Sequence, residues 1–160
     1  MSHWEQLEQW QLQLLYQADF FTGITAEQLQ QILPCLGVTL SAFQKNTYLF
    51  QAGEQITQIG FLFSGKVQII QEDFWGNRTI LEQIDTGGMF GEAFACAGTP
   101  RIPVTVLAAE DGQLAYFPYQ KLLSLCPNAC PFHRQLITNL LQGMAAKNVM
   151  LVQKMTHISK

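Results

Sequence analysis

The sequence predicts a mainly β domain with flanking helices: a jelly roll, or double-stranded β-helix, followed by a long dimerisation helix. Three observations lead there. From Gly37 to Phe117, short runs rich in Val, Ile, Phe, Tyr and Thr alternate with glycine-centred turns, the pattern of a sandwich or barrel. Ahead of them, apolar residues recur at helical spacing. Behind them, from about Phe132 to His157, apolar residues recur in steps of four and three, which is a heptad seam. At 160 residues the chain is one domain, long enough to bury a substantial core. It divides into a helical lead and jelly roll over 1–131 and a helix over 132–160.

Trp4, Leu7, Trp10, Leu14 and Ala18 predict one leading amphipathic helix, packed on a partner, on the barrel, or lying as an ordinary surface helix. After Phe20-Phe21-Thr22-Gly23, Thr25 and Gln28 have the spacing of a capping box. Ile24 and Leu29 have that of a hydrophobic staple. Leu29, Ile32 and Leu33 then face inward, and Pro34 is expected to stop the helix. Val38-Thr39-Leu40 and Tyr48-Leu49-Phe50 are short strands, with Ala52-Gly53-Glu54 turning the chain afterwards. Ile59 to Phe63, Ser64-Gly65 and Val67 to Ile70 predict a hairpin. Phe74-Trp75-Gly76-Asn77 is a second turn, before a strand over Thr79 to Ile84. Val104 to Ala108 is β-type, and Glu110-Asp111-Gly112 leads into Leu114 to Phe117. A short helix from Pro118 to Leu125 is interrupted by Cys126-Pro127-Asn128-Ala129-Cys130-Pro131.

The long helix places Ile137, Leu141, Met144, Asn148, Leu151, Met155 and Ile158 on one seam. Asn148 falls at an a position, where two Asn side chains can pair across a parallel dimer and fix its register. Leu136, Leu140 and Val152 form a second apolar side, suited to the barrel. A homodimer is therefore expected, the alternative being one long helix lying on the barrel with Asn148 exposed.

Composition narrows the classes. Hydrophobic residues make up 48% of the chain and charged ones 13%, with net charge −3. That argues against disorder, and against a nucleic-acid surface within this segment, which needs a basic patch. No apolar stretch reaches the length of a membrane span, and no secretion signal is read at Met-Ser-His-Trp-Glu-Gln. A cytoplasmic protein is expected, with Cys35, Cys96, Cys126 and Cys130 mostly as thiols.

The chemistry concentrates in one loop. Gly87-Gly88-Met89-Phe90-Gly91-Glu92 runs through Ala93, Gly98 and Pro100-Arg101-Ile102-Pro103 to Val104. Its glycines permit positive φ and close backbone approach. A glycine turn entering a short helix aims N–H groups at one point, an arrangement that suits phosphate. Glu92 is one acid among small and apolar residues, and Arg101 is a cation near the far end. A purely structural role for Glu92 would be to cap a short helix beginning near Phe90.

These residues resemble the phosphate-binding cassette of the cyclic-nucleotide-binding fold, as found in the sensory domains of Crp/Fnr-type transcription regulators. The Phe20-Phe21 opening and the glycine-centred hairpin resemble the same family, and the likeness runs from about Asp19 to the C-terminus. The resemblance implies that Gly91 and Glu92 bind a ribose hydroxyl, that the amides of Gly91 to Ala93 touch phosphate, and that Arg101 neutralises it. Two registers remain open at the far end. Counted from Glu92 as in Crp, Ile102 stands at the arginine position and Pro103, which has no N–H, at a phosphate-binding serine. A shorter register keeps Arg101 and leaves one residue to a bulge. On the long helix, Leu151 and Val152 stand where Crp has a Thr-Ser pair that reads adenine.

A micromolar ligand has about 8 kcal/mol of binding free energy, and a buried charge without its partner forfeits roughly 3–5 kcal/mol. A cyclic nucleotide therefore requires Arg101 to turn inward. Otherwise an apolar pocket with Glu92 as its polar handle suits another small molecule, or none. No cofactor is read from the residues.

An enzyme is not expected. His3, His133 and His157 all lie outside the β region, so a cupin-like metal centre lacks its ligands, and there is no Gly-x-Ser-x-Gly elbow. Cys126, Cys130 and His133, with Cys35 or Cys96, leave a redox or metal sensor as an alternative. The resemblance implies an effector-sensing and dimerisation domain coupled to a C-terminal helix-turn-helix domain that binds DNA. The chain stops at His157-Ile158-Ser159-Lys160, where that domain would start. Either the domain is missing from this chain, or the protein is a stand-alone ligand-binding or interaction module.

Overall fold

A computed structural model describes residues 4–124 and 132–158. The interruption containing Cys126 and Cys130 lies outside the described residues. Two four-stranded antiparallel sheets form the body. One has the order β1 (Thr39–Phe43), β8 (Gly112–Pro118), β3 (Gln58–Ser64), β6 (Met89–Phe90). The other has the order β2 (Tyr48–Phe50), β7 (Thr105–Ala108), β4 (Val67–Glu72), β5 (Arg78–Ile84). The helices are α1 (Gln9–Gln17), α2 (Ala26–Leu36), α3 (Glu92–Ala97), α4 (Tyr119–Leu123) and α5 (Phe132–Ile158). The expected jelly roll with flanking helices and a long last helix is what the chain forms.

The continuous apolar run of β3 explains the layering. Alternate side chains of a strand point to opposite faces. Leu62 faces the space between the sheets, in a cluster with Val67, Ile84, Phe90, Val106 and Leu114. Ile59, Phe61 and Phe63 face the helices, in a second cluster with Phe21, Leu33, Leu36, Leu136 and Leu140. The first sheet thus separates two cores, and α5 is seated on its outer one.

Several local expectations hold. The Thr25 hydroxyl accepts from Gln28 N at 3.2 Å and the Gln28 side chain accepts from Thr25 N at 2.9 Å, closing the capping box. The Phe74–Asn77 turn is organised by Asp73, whose carboxylate accepts from Trp75 N at 2.8 Å and Asn77 N at 2.9 Å.

Others are corrected. The leading stretch is a short 3₁₀ turn, Trp4–Gln6, followed by a separate helix that starts with a capping box at Glu8 and Gln11. Its buried residues are Gln11 and Leu15, while Trp10, partly exposed, packs edge-on against the buried Phe63 ring at 6.0 Å. Pro34 lies inside α2 rather than ending it. Burial of Leu33 and Leu36 holds one further turn, and Gly37, at φ 67°, ends the helix in the left-handed region. β3 and β4 do not form a hairpin: the Ser64-Gly65-Lys66 connection carries the chain from one sheet to the other. Val152, expected against the barrel, is 54% exposed.

α5 spans 27 residues, about 40 Å. Its first half is fixed. Leu136 and Leu140 are buried, and the Asn139 amide donates to Phe20 O at 2.7 Å and Thr22 O at 2.8 Å. Its second half carries exposed Val149, Met150, Leu151, Val152 and Met155.

Candidate functional site

Gly91 leads into α3 at φ 84°, a conformation that glycine adopts without strain. A Cβ there would also approach Gln58 O to 3.3 Å. This tight entry puts Glu92 at the first position of α3, buried at 5% exposure. Glu92 does not cap the helix. Gly91 occupies the cap position, and no side-chain capping bond forms. The carboxylate turns instead toward α5.

Lys147 meets it there. Its ammonium donates to Glu92 Oε1 at 2.7 Å and to the Met89 carbonyl at 3.1 Å, and lies 3.1 Å from Glu82 Oε1 on β5. Three N–H donors thus have three acceptors. Burial works against the Lys147 charge, but Glu92 and then Glu82 outweigh it and hold its pKa above the ordinary value of 10.5. The second oxygen, Glu92 Oε2, is buried and has no hydrogen-bond partner among the described residues. A buried acceptor left unmade costs roughly 1–3 kcal/mol, so this position favours an incoming donor. One turn along α3, burial and then the Glu92 charge push the Cys96 thiol up, keeping it protonated.

The far end of the loop is built differently. Ile102 is 2% exposed, within the outer core. Its backbone is committed to the 51–54 turn: Ile102 N donates to Glu54 O and Gly53 N donates to Ile102 O, both at 2.8 Å. Arg101 and Pro103 are exposed, as is Ala93. Arg101 forms no salt bridge to the described residues. Of the residues expected at the site, Gly91 and Glu92 come together at a buried point. Leu151 and Val152 lie exposed on α5, beyond Lys147. On the seam, Leu141, Asn148, Leu151 and Met155 are exposed, while Ile137 and Met144 are half-buried.

Residues 40–128 match the family model described as cyclic nucleotide-binding domain. The chain belongs to that family. No curated protein sequence matches it. Among solved structures, the sensor domain of the transcriptional regulator DNR from Pseudomonas aeruginosa is 26% identical. The match covers 91% of this chain and 90% of that one, with a TM-score of 0.65. A cyclic nucleotide-binding domain from Methylobacillus flagellatus is 17% identical, over 89% and 79%, with a TM-score of 0.74. The catabolite activator protein of Thermus thermophilus is 18% identical over 88% of this chain, with a TM-score of 0.70. The chain spans 62% of that protein and 65% of full DNR. The cyclic nucleotide-binding fold is thus of the kind seen in sensor domains of Crp/Fnr-type regulators.

Within this cyclic nucleotide-binding domain, Lys147 and Glu82 are the site residues that sequence reasoning missed. A signal for Lys147 was present. It follows Leu136 by eleven residues and Leu140 by seven, continuing the stripe that faces the barrel. In the heptad it sits at g, where a charge is ordinarily read as pairing across a dimer. Among the described residues, no group of three or more His, Cys, Asp and Glu could hold a metal, and no helix is long and apolar enough to cross a membrane.

Proposed function

We propose that the chain is the effector-sensing and dimerisation domain of a Crp/Fnr-type transcription regulator. Residues 1–131 receive a small molecule beside Gly91 and Glu92, and residues 132–160 pair with a second copy. DNA binding then belongs to a separate helix-turn-helix domain. The observation that carries this reading is the direct link from Glu92 to α5 through Lys147. It is supported by the exposed apolar stripe Leu141, Leu151 and Met155, which flanks Asn148 on the same helix.

The effector is a small molecule other than a tightly held cyclic nucleotide. Arg101 is exposed and Pro103 has no N–H, so the cation a phosphate would meet beside Glu92 is Lys147, whose donors are already taken by Glu92, Met89 O and Glu82. Calorimetric titration with cyclic AMP and cyclic GMP should show no binding at micromolar concentration; heat there would overturn that restriction. Light scattering at micromolar concentration should give a dimer, and Asn148→Leu should alter its oligomeric state. A monomeric wild type would contradict the dimerisation role.

A further inference from the structure

The Glu92 position is already partly filled, by a group belonging to the chain. Lys147 Nζ sits 2.7 Å from Glu92 Oε1, within hydrogen-bond distance of the position's buried acceptor. All three of its donors are used, on Glu92, Met89 O and Glu82. It has none left for a ligand's phosphate. Around it stand two carboxylates, and Glu92 Oε2 is still open. The local balance is one positive charge against two negative ones, which favours a ligand that donates hydrogen bonds over one that only accepts them.

We infer that Lys147 is a tethered occupant of the effector site and determines what that site accepts. This inference rests on the sensor reading above and deepens it. A molecule reaching Glu92 must either donate to Oε2 beside the lysine or replace the lysine on Oε1. Replacement does not strand the ammonium, because Glu82 is half-exposed and already 3.1 Å away. The lysine can therefore leave the buried carboxylate while keeping an ionic partner. Beyond Asn139, Lys147 is where a polar side chain ties α5 to the barrel, two turns further on. The residues after it, Val149 to Val152, are exposed. Exchanging Lys147 for a ligand thus leaves the half of α5 that carries Asn148, Leu151 and Met155 tied at this point by the half-exposed Glu82 pair alone, a weaker hold than the buried one.

The test is amide hydrogen exchange over residues 145–156 in the dimer, for wild type, Lys147→Met, Glu92→Gln and the double variant. A charged hydrogen bond of this kind should hold protection by about tenfold. Each single variant should exchange about tenfold faster, the double variant no faster than either, and Lys147→Arg should recover part of the protection. Unchanged exchange in Lys147→Met overturns the inference. So does an additive double variant, because the two residues would then act separately. These outcomes are independent of whether cyclic AMP or cyclic GMP binds, so failure of the tether and failure of the sensor reading are told apart.

Discussion

The two ends of the loop between β6 and β7 carry opposite charges and have opposite fates. At the Glu92 end the charged side chain is buried and held by a lysine from a distant helix. At the Arg101 end the charged side chain is in solvent, and the apolar neighbour, Ile102, is the one that turns inward. The lesson is that a glycine-hinged loop can bury the charge at one end and expose the charge at the other while its backbone stays fixed at both. The backbone bonds of Ile102 to the 51–54 turn hold the far end in place without a ligand, so Arg101 is not needed for structure.

That contrast can be broken most severely at Ile102. Ile102→Ala should destabilise the domain by about 3 kcal/mol, since it opens a cavity in the outer core; denaturant unfolding measures it. A loss below about 1 kcal/mol would mean that Ile102 can be released toward a ligand.

Lys147→Met comes next, at about 2 kcal/mol, because it leaves Glu92 buried with neither oxygen bonded. The sign of its pH dependence follows from the raised pKa. Glu92 on α3 and Glu82 on β5 face the ammonium and favour its charged form in the folded state. Its stabilisation is fully present below the ordinary 10.5 and is lost as pH rises through the higher folded value. Tyr116, pushed up to about 12 by burial, loses stability in an overlapping alkaline window. Both proteins should therefore weaken above about pH 10, and the gap between them should narrow as Lys147 discharges. Urea midpoints between pH 8 and 11.5 would check this.

Arg101→Ala should have the smallest effect, within about 0.5 kcal/mol, as for other exposed positions. A larger loss would show that the arginine has a structural partner and would weaken the contrast.

Much of this was legible in the amino acids. The Thr25–Gln28 box, the Phe74–Asn77 turn, β2 and the start of α5 follow from spacing and turn chemistry. Strand partners did not. β3 and β4 are adjacent in sequence with a glycine between them, yet pair in different sheets, because periodicity reports the faces of a strand but not its neighbour. The Gly91-Glu92 half of the site was readable from the cassette pattern. Lys147 was overlooked although it continues the Leu136 and Leu140 stripe, because the heptad drew attention to the seam while the lysine lies on the adjoining face, 55 residues from Glu92 in sequence.

The central claim is that a buried acid in the barrel and the pairing of α5 are energetically linked. Glu92 is 5% exposed, so it acts on the proposed pairing only through the lysine it holds. The most direct measurement is the dimer dissociation constant of Glu92→Gln against wild type by sedimentation equilibrium. Coupling of the usual size predicts a change of about fivefold or more. An unchanged dissociation constant, in a variant that remains folded, would contradict the link.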